Sequence, residues 1–175
     1  MHSRRSLVRT AISLSAAAAA VPLLGRAAVA LPRLPSIDGV LVEKTYKRLH
    51  LMSAGQVART YSVALGRYPE GHKMQEGDAR TPEGRYFLDR RLERSGFHKA
   101  IRISYPNEDD RESARQRGVR PGGKIMIHGL ANGWSARDLG HPRLNWTQGC
   151  IAVTNAEMDE IWELVELGTP IEIRP

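Results

Sequence analysis

Two short apolar runs, each tied to one reactive side chain, constrain this chain most. Ile125-Met126-Ile127 runs into His128-Gly129, and Ile151-Ala152-Val153 starts directly behind Gly149-Cys150, the only cysteine of the 175 residues. A short apolar run bounded by glycine and a polar tip reads as a buried strand. Asn132-Gly133-Trp134 and Gly140-His141-Pro142 lie between the runs and are turn material. A fold built on these runs can bring a strand-end His and a strand-start Cys together on two arms of one loop, as a Cys/His nucleophile pair requires. Each residue has a plainer reading: a free Cys is often a small buried hydrophobe, and most strand-end histidines are structural. Gly149 tips the balance, because it leaves backbone N–H groups near the sulfur open to an oxyanion. His128, His141 and Cys150 could in principle supply three zinc ligands, but no close-spaced ligand pair accompanies them, so neither metal nor cofactor is expected.

The rest of the chain reads as mainly β. Alternation over Lys47–Met52, a turn at Ser53-Ala54-Gly55-Gln56 and a return over Val57–Leu65 predict a hairpin, with Tyr61, Val63 and Leu65 on one face. Gly66 to Arg80 is polar and glycine-punctuated, hence loop, with His72 and His50 read as surface residues. Thr81-Pro82-Glu83-Gly84 turns into a strand over Arg85–Asp89, and Lys99–Tyr105 is another, with Ile101 and Ile103 inward. Asn107 to Gly118 predicts a short helix: an Asn cap, acids at Glu108, Asp109 and Asp110 in the first turn, Arg115 and Arg117 in the last. Thr154-x-x-Glu157 is a capping box, and Met158, Ile161, Trp162 and Val165 follow at helical spacing until Gly168. Ile171–Arg174 is a final strand. The helix behind Cys150 would brace the cysteine loop against the sheet.

Residues 1–30 read as an export signal. Arg4, Arg5 and Arg9 precede an Ala/Ser-rich apolar run from Thr10 to Leu24, and Ala28-Val29-Ala30 supplies small residues for cleavage. Ser3-Arg4-Arg5-Ser6-Leu7-Val8 is similar to a twin-arginine signal. The run is shorter than the roughly 20 residues of a spanning helix, so no membrane span is expected in the mature chain. Residues 31–39, with Pro32, Pro35 and Gly39, read as a linker, and 40–175 as one domain. The leader carries four Arg and no acid, so its removal lowers the net charge from +7 to +3. The nucleic-acid partner suggested by a pI near 10.0 then loses most of its support.

His128-Gly129 followed by Thr147-x-Gly149-Cys150-Ile151 resembles the active-site signature of the L,D-transpeptidase (YkuD-like) catalytic domain. Thr81-Pro82-Glu83-Gly84-Arg85-Tyr86-Phe87 and Ile101–Asn107 extend the resemblance, which covers roughly residues 40–175. Gln148 stands where the family has a His and Ala152 where an Arg often follows, a departure similar to the YafK-like branch. The resemblance implies a β-sandwich or barrel with a few short helices and a cysteine acyltransferase acting on peptidoglycan stem peptides in the periplasm or cell envelope. It further implies Cys150 as nucleophile, His128 as base, the Gly129 carbonyl orienting His128, and Gly149 backbone in the oxyanion site. Thr147, Gln148, Trp146 and Arg143 are the expected substrate contacts. The alternatives are an amidase or L,D-peptidase using the same pair at diaminopimelate, with a murein-linked lipoprotein as a further partner, and a non-catalytic wall-binding module in which Cys150 is structural.

Overall fold

The computed structural model describes residues 36–175; the leader and residues 31–35 of the linker lie outside them. Alternating burial sets the first strands. β1 (Gly39–Glu43) buries Val40 and Val42, β2 (Arg48–Ser53) buries Leu49 and Leu51, and β3 (Gln56–Ser62) leads into buried Tyr61, Val63 and Leu65. The β2–β3 hairpin turns through Ala54 and Gly55, both at positive φ (49° and 75°), the backbone that fits strand twist. Asp38 holds this turn by accepting the Ala54 N–H at 2.6 Å, and Ile37 is 8% exposed within the core. The boundary expected at residue 39 therefore falls inside the packed chain.

β4 (Gly84–Arg94), β5 (His98–Ile103), α1 (Glu108–Gln116), β6 (Met126–His128), β7 (Ile151–Ala152), α2 (Asn155–Leu164) and β8 (Pro170–Arg174) complete the chain. The sheet order is β3-β2-β1-β8-β4-β5-β6-β7, with β1/β8 and β6/β7 parallel and the other pairs antiparallel. β4 serves two partners: its first half pairs with β8, and from Leu88 on it pairs with β5, with a register shift between Leu88 and Arg90. The chain beyond β3 returns to β7, where Ala64 and Ala152 exchange two backbone hydrogen bonds of 3.0 and 2.8 Å. The outer strands thus meet, and the curled sheet closes around Leu88, Ile101, Ile103, Ile127 and Ile151, covered by Met158 and Ile161 of α2. The expected class is the one found: mainly β with two short helices.

Three local expectations differ. His72 is not a bystander: its Nδ1 accepts the Glu83 N–H at 3.0 Å, and its Nε2 meets the buried Asp110 carboxylate at 3.0 Å. Asp110 also accepts Tyr86 OH and the Asn107 N–H, so the α1 capping box is an interior anchor. His50 bonds Thr60 and Glu43 on the neighbouring strands. Finally, α2 stops at Leu164, short of Gly168, where Val165 turns extended and Arg91 takes the carbonyls of Trp162 and Val165 at 2.7 Å each. Among the described residues no helix is long and apolar enough to cross a membrane.

Candidate active site

The parallel pairing of β6 with β7 sets Ile127 against Ile151 and His128 against Ala152. Cys150, two residues before Ala152, is thereby brought diagonally across from His128. His128 and Cys150 thus sit on the neighbouring arms that carry β6 and β7.

His128 is 1% exposed. Its Nδ1 donates to the Gly129 carbonyl at 2.6 Å, which leaves Nε2 as the basic nitrogen, without a partner among the described residues. Phe97 stacks on the ring at a centroid distance of 3.9 Å, and Trp146 meets it edge-on at 5.7 Å. This apolar burial disfavours the imidazolium and lowers the pKa to about 4; the Gly129 bond opposes the shift and nearby His141 adds to it. Gly129 is required by space: a Cβ there would lie 2.7 Å from the His98 carbonyl and 2.8 Å from Asn155 Oδ1. The Gly129 N–H bonds that same His98 carbonyl, and Asn155 Oδ1 accepts the Leu130 N–H.

Thr147 builds the turn that carries Cys150. It is buried, its hydroxyl donates to the Cys150 carbonyl at 2.7 Å and accepts the Gly149 N–H at 3.1 Å. The side chain expected to touch substrate is therefore spent inside the loop, and the Gly149 N–H expected to face an oxyanion is bound to it. Gly149 has φ +124°, and a Cβ there would stand 2.5 Å from the Arg80 carbonyl. The half-buried Cys150 places Sγ 3.5 Å from the Lys124 carbonyl, with no bond to His128 Nε2. Burial pushes the thiol pKa up, against the opposing pull of the Met126 backbone and the Lys73 charge. Near neutral pH the site is a thiol beside a neutral imidazole.

Gln148 is exposed and bonds Arg67 Nη2 through its Oε1 at 3.1 Å; it does not orient His128. Arg143 extends from the surface, its carbonyl held by Lys47. Trp146 packs on His128, as described.

The loop 66–80 supplies residues that the sequence pattern misses. Asp78 accepts N–H groups from Met74, Gln75 and Arg80 and pairs with buried Lys73 at 2.6 Å. This closes the loop onto Gly149. The available signal was a lone Asp beside Gly77, a residue that folds loops onto its own backbone. Phe97 carried none. Two clefts flank the Arg67–Gln148 bond. One, of about 690 Å³, is lined by Arg67, Tyr68, Asp78 and Arg80; the other, of about 570 Å³, by Lys73, Arg120, Lys124 and Gln148. Among the described residues no three His, Cys, Asp or Glu side chains converge on a metal-sized site.

Residues 38–173 match the family described as the L,D-transpeptidase catalytic domain (YkuD). The chain is 33% identical over 112 residues to "Putative L,D-transpeptidase YafK" of Escherichia coli (strain K12), covering 63% of this chain and 38% of that protein. Among solved structures it superposes on Bd1075 of Bdellovibrio bacteriovorus with a TM-score of 0.56 at 26% identity, over 80% of this chain and 48% of that one. It superposes on the helical cell shape determining protein Pgp2 of Campylobacter jejuni with a TM-score of 0.56 at 27% identity, over 78% and 47%. The chain thus spans less than half of the length of each of these relatives.

Proposed function

The chain belongs to the L,D-transpeptidase catalytic domain family, and from that premise we propose that Cys150 is the nucleophile of an acyl transfer on peptidoglycan stem peptides in the cell envelope. The observation that carries this reading is the 2.6 Å bond from His128 Nδ1 to the Gly129 carbonyl, which fixes the tautomer with a free, buried Nε2 next to the cysteine arm. A backbone carbonyl does here what a carboxylate does in a triad, without adding a charge.

In the proposed cycle a side-chain rotation turns Sγ from the Lys124 carbonyl toward Nε2. The thiol proton passes to the imidazole as sulfur attacks the diaminopimelate carbonyl, so that both groups ionise only during the attack. The oxyanion that forms is met by backbone N–H groups of Gln148 and Cys150, since that of Gly149 is held by Thr147. Collapse breaks the C–N bond, and the imidazolium returns the proton to the leaving amine. An incoming amine, or water in a hydrolytic variant, then resolves the thioester. Trp146 walls the site, and Arg143, exposed on the same loop, holds a substrate carboxylate.

Carbapenem acylation followed by intact-protein mass spectrometry tests the nucleophile: one adduct on the wild type and none on Cys150→Ala is the expected result. Adduct formation at another residue overturns it. Muropeptide analysis of treated sacculi separates the acceptors: new diaminopimelate–diaminopimelate cross-links mark amine transfer, and loss of stem-linked material marks hydrolysis.

A further inference from the structure

We propose that the 570 Å³ cleft beside Cys150 is a carboxylate subsite, in which Lys124, Lys73 and Gln148 hold the free α-carboxylate of the residue that leaves when Cys150 is acylated. The proposal rests on Cys150 being the nucleophile.

Lys124 is the first reason. Its carbonyl meets Sγ at 3.5 Å, and the same residue lines the cleft. It sits at φ +57°, a backbone that a non-glycine residue adopts at a cost and that clusters at functional positions. Its ammonium has no ion-pair partner among the described residues, whereas the other cations of the cleft are matched: Lys73 to Asp78 at 2.6 Å and Arg120 to Glu76 at 2.9 Å. One positive charge is left over in the cleft that Gln148, two residues before Cys150, also lines.

Lys73 and Gln148 supply the remaining donors. The Lys73 side chain is 4% accessible and gives two N–H groups to Asp78 and the Gln75 carbonyl, which leaves the third for the cleft it lines. Gln148 Oε1 is committed to Arg67, so its amide N–H groups remain for a ligand. The geometry suits a terminal residue. Its carboxylate lies one residue beyond the attacked carbonyl, and the cleft is bordered by Lys124, whose carbonyl meets the sulfur, and by Gln148, two residues before Cys150. The acylation step is unchanged: the S–C bond forms, the C–N bond breaks, and the departing amine keeps its carboxylate throughout.

The test compares two probes, a stem tetrapeptide ending in a free carboxylate and the same peptide ending in a carboxamide. Calorimetric titration into Cys150→Ala is expected to show the acid binding about tenfold tighter, the size of one charge-assisted hydrogen bond. In Cys150→Ala/Lys124→Gly, where glycine accepts the positive φ, the preference collapses; with Lys124→Arg it returns. Equal binding of acid and amide to Cys150→Ala, or binding of neither, overturns the subsite, and neither result depends on a Lys124 variant folding. Carbapenem acylation of the wild type keeps the two ideas apart. An acylated Cys150 with no acid preference removes the subsite alone. An acid preference with no acylation of Cys150 removes the nucleophile and leaves an anion-binding cleft.

Discussion

At the scale of single residues, Gly129 does three jobs that no other side chain permits. It lets the backbone pass within contact of His98 and Asn155, gives its N–H to His98, and offers its carbonyl to His128. Gly129→Ala is expected to lower stability by about 2 kcal/mol, the cost of forcing a methyl into closed packing, and to slow carbapenem acylation more than stability loss explains, because the carbonyl must shift. Urea denaturation and acylation rates on the same sample check both; an unchanged rate would show that the bond to His128 is dispensable. His128 itself makes stability depend on acid. The unfolded chain takes up its proton near pH 6.5 and the folded chain only near 4, so the stabilisation from the neutral ring is complete above pH 6.5 and drains away as pH falls toward 4. The full span corresponds to about 3 kcal/mol. Urea midpoints between pH 4 and 8 for wild type and His128→Asn give it as the difference between two curves, and parallel curves would mean that the ring is solvated.

At the scale of elements, the turn from Trp146 to Cys150 is held by one hydroxyl. Thr147→Val keeps the shape but strands the Cys150 carbonyl and the Gly149 N–H, which is expected to cost about 2 kcal/mol, while Thr147→Ser stays within about 1 kcal/mol of wild type, since it keeps both bonds at the price of a methyl. Thermal melting of the two variants, with thiol alkylation rates as a local probe, separates turn geometry from bulk packing; equal losses in both would assign the role to the methyl. This staple was hidden in the sequence, where a Thr before Gly-Cys reads equally well as a substrate contact. α2 was legible because its signals are local: Thr154 and Glu157 cap each other, and the apolar stripe follows at helical spacing. Its early end was not legible, since Arg91, which takes its last carbonyls, is 71 and 74 residues away from them.

At the scale of the whole molecule, the family signature and the mainly-β class were readable, and the loop that packs around the cysteine turn was not. His128-Gly129 and Gly149-Cys150 announce themselves because their partners are sequence neighbours, and the strands show period-two burial. The loop 66–80 has no period; its order comes from side chains reaching across the fold. Lys44 in particular, buried at 5% exposure after β1, gives its ammonium to the Gly71 carbonyl at 2.6 Å, the Thr81 carbonyl at 3.2 Å and Glu83 at 2.7 Å. It ties the first strand of the sheet to the loop that seats Gly149. Lys44→Met is expected to cost about 3 kcal/mol, because it leaves a carboxylate and two carbonyls without their cation. Adding Glu83→Gln should restore part of that loss by removing the stranded charge. The consequence should travel: amide exchange should quicken from Gly66 to Arg80, and carbapenem acylation of Cys150 should slow, since the Arg80 carbonyl packs directly on Gly149. Hydrogen exchange read by mass spectrometry decides the point. Lost stability with unchanged exchange in this loop would mean that Asp78 alone keeps it closed, and that the sheet and the cysteine turn are joined only through β6 and β7.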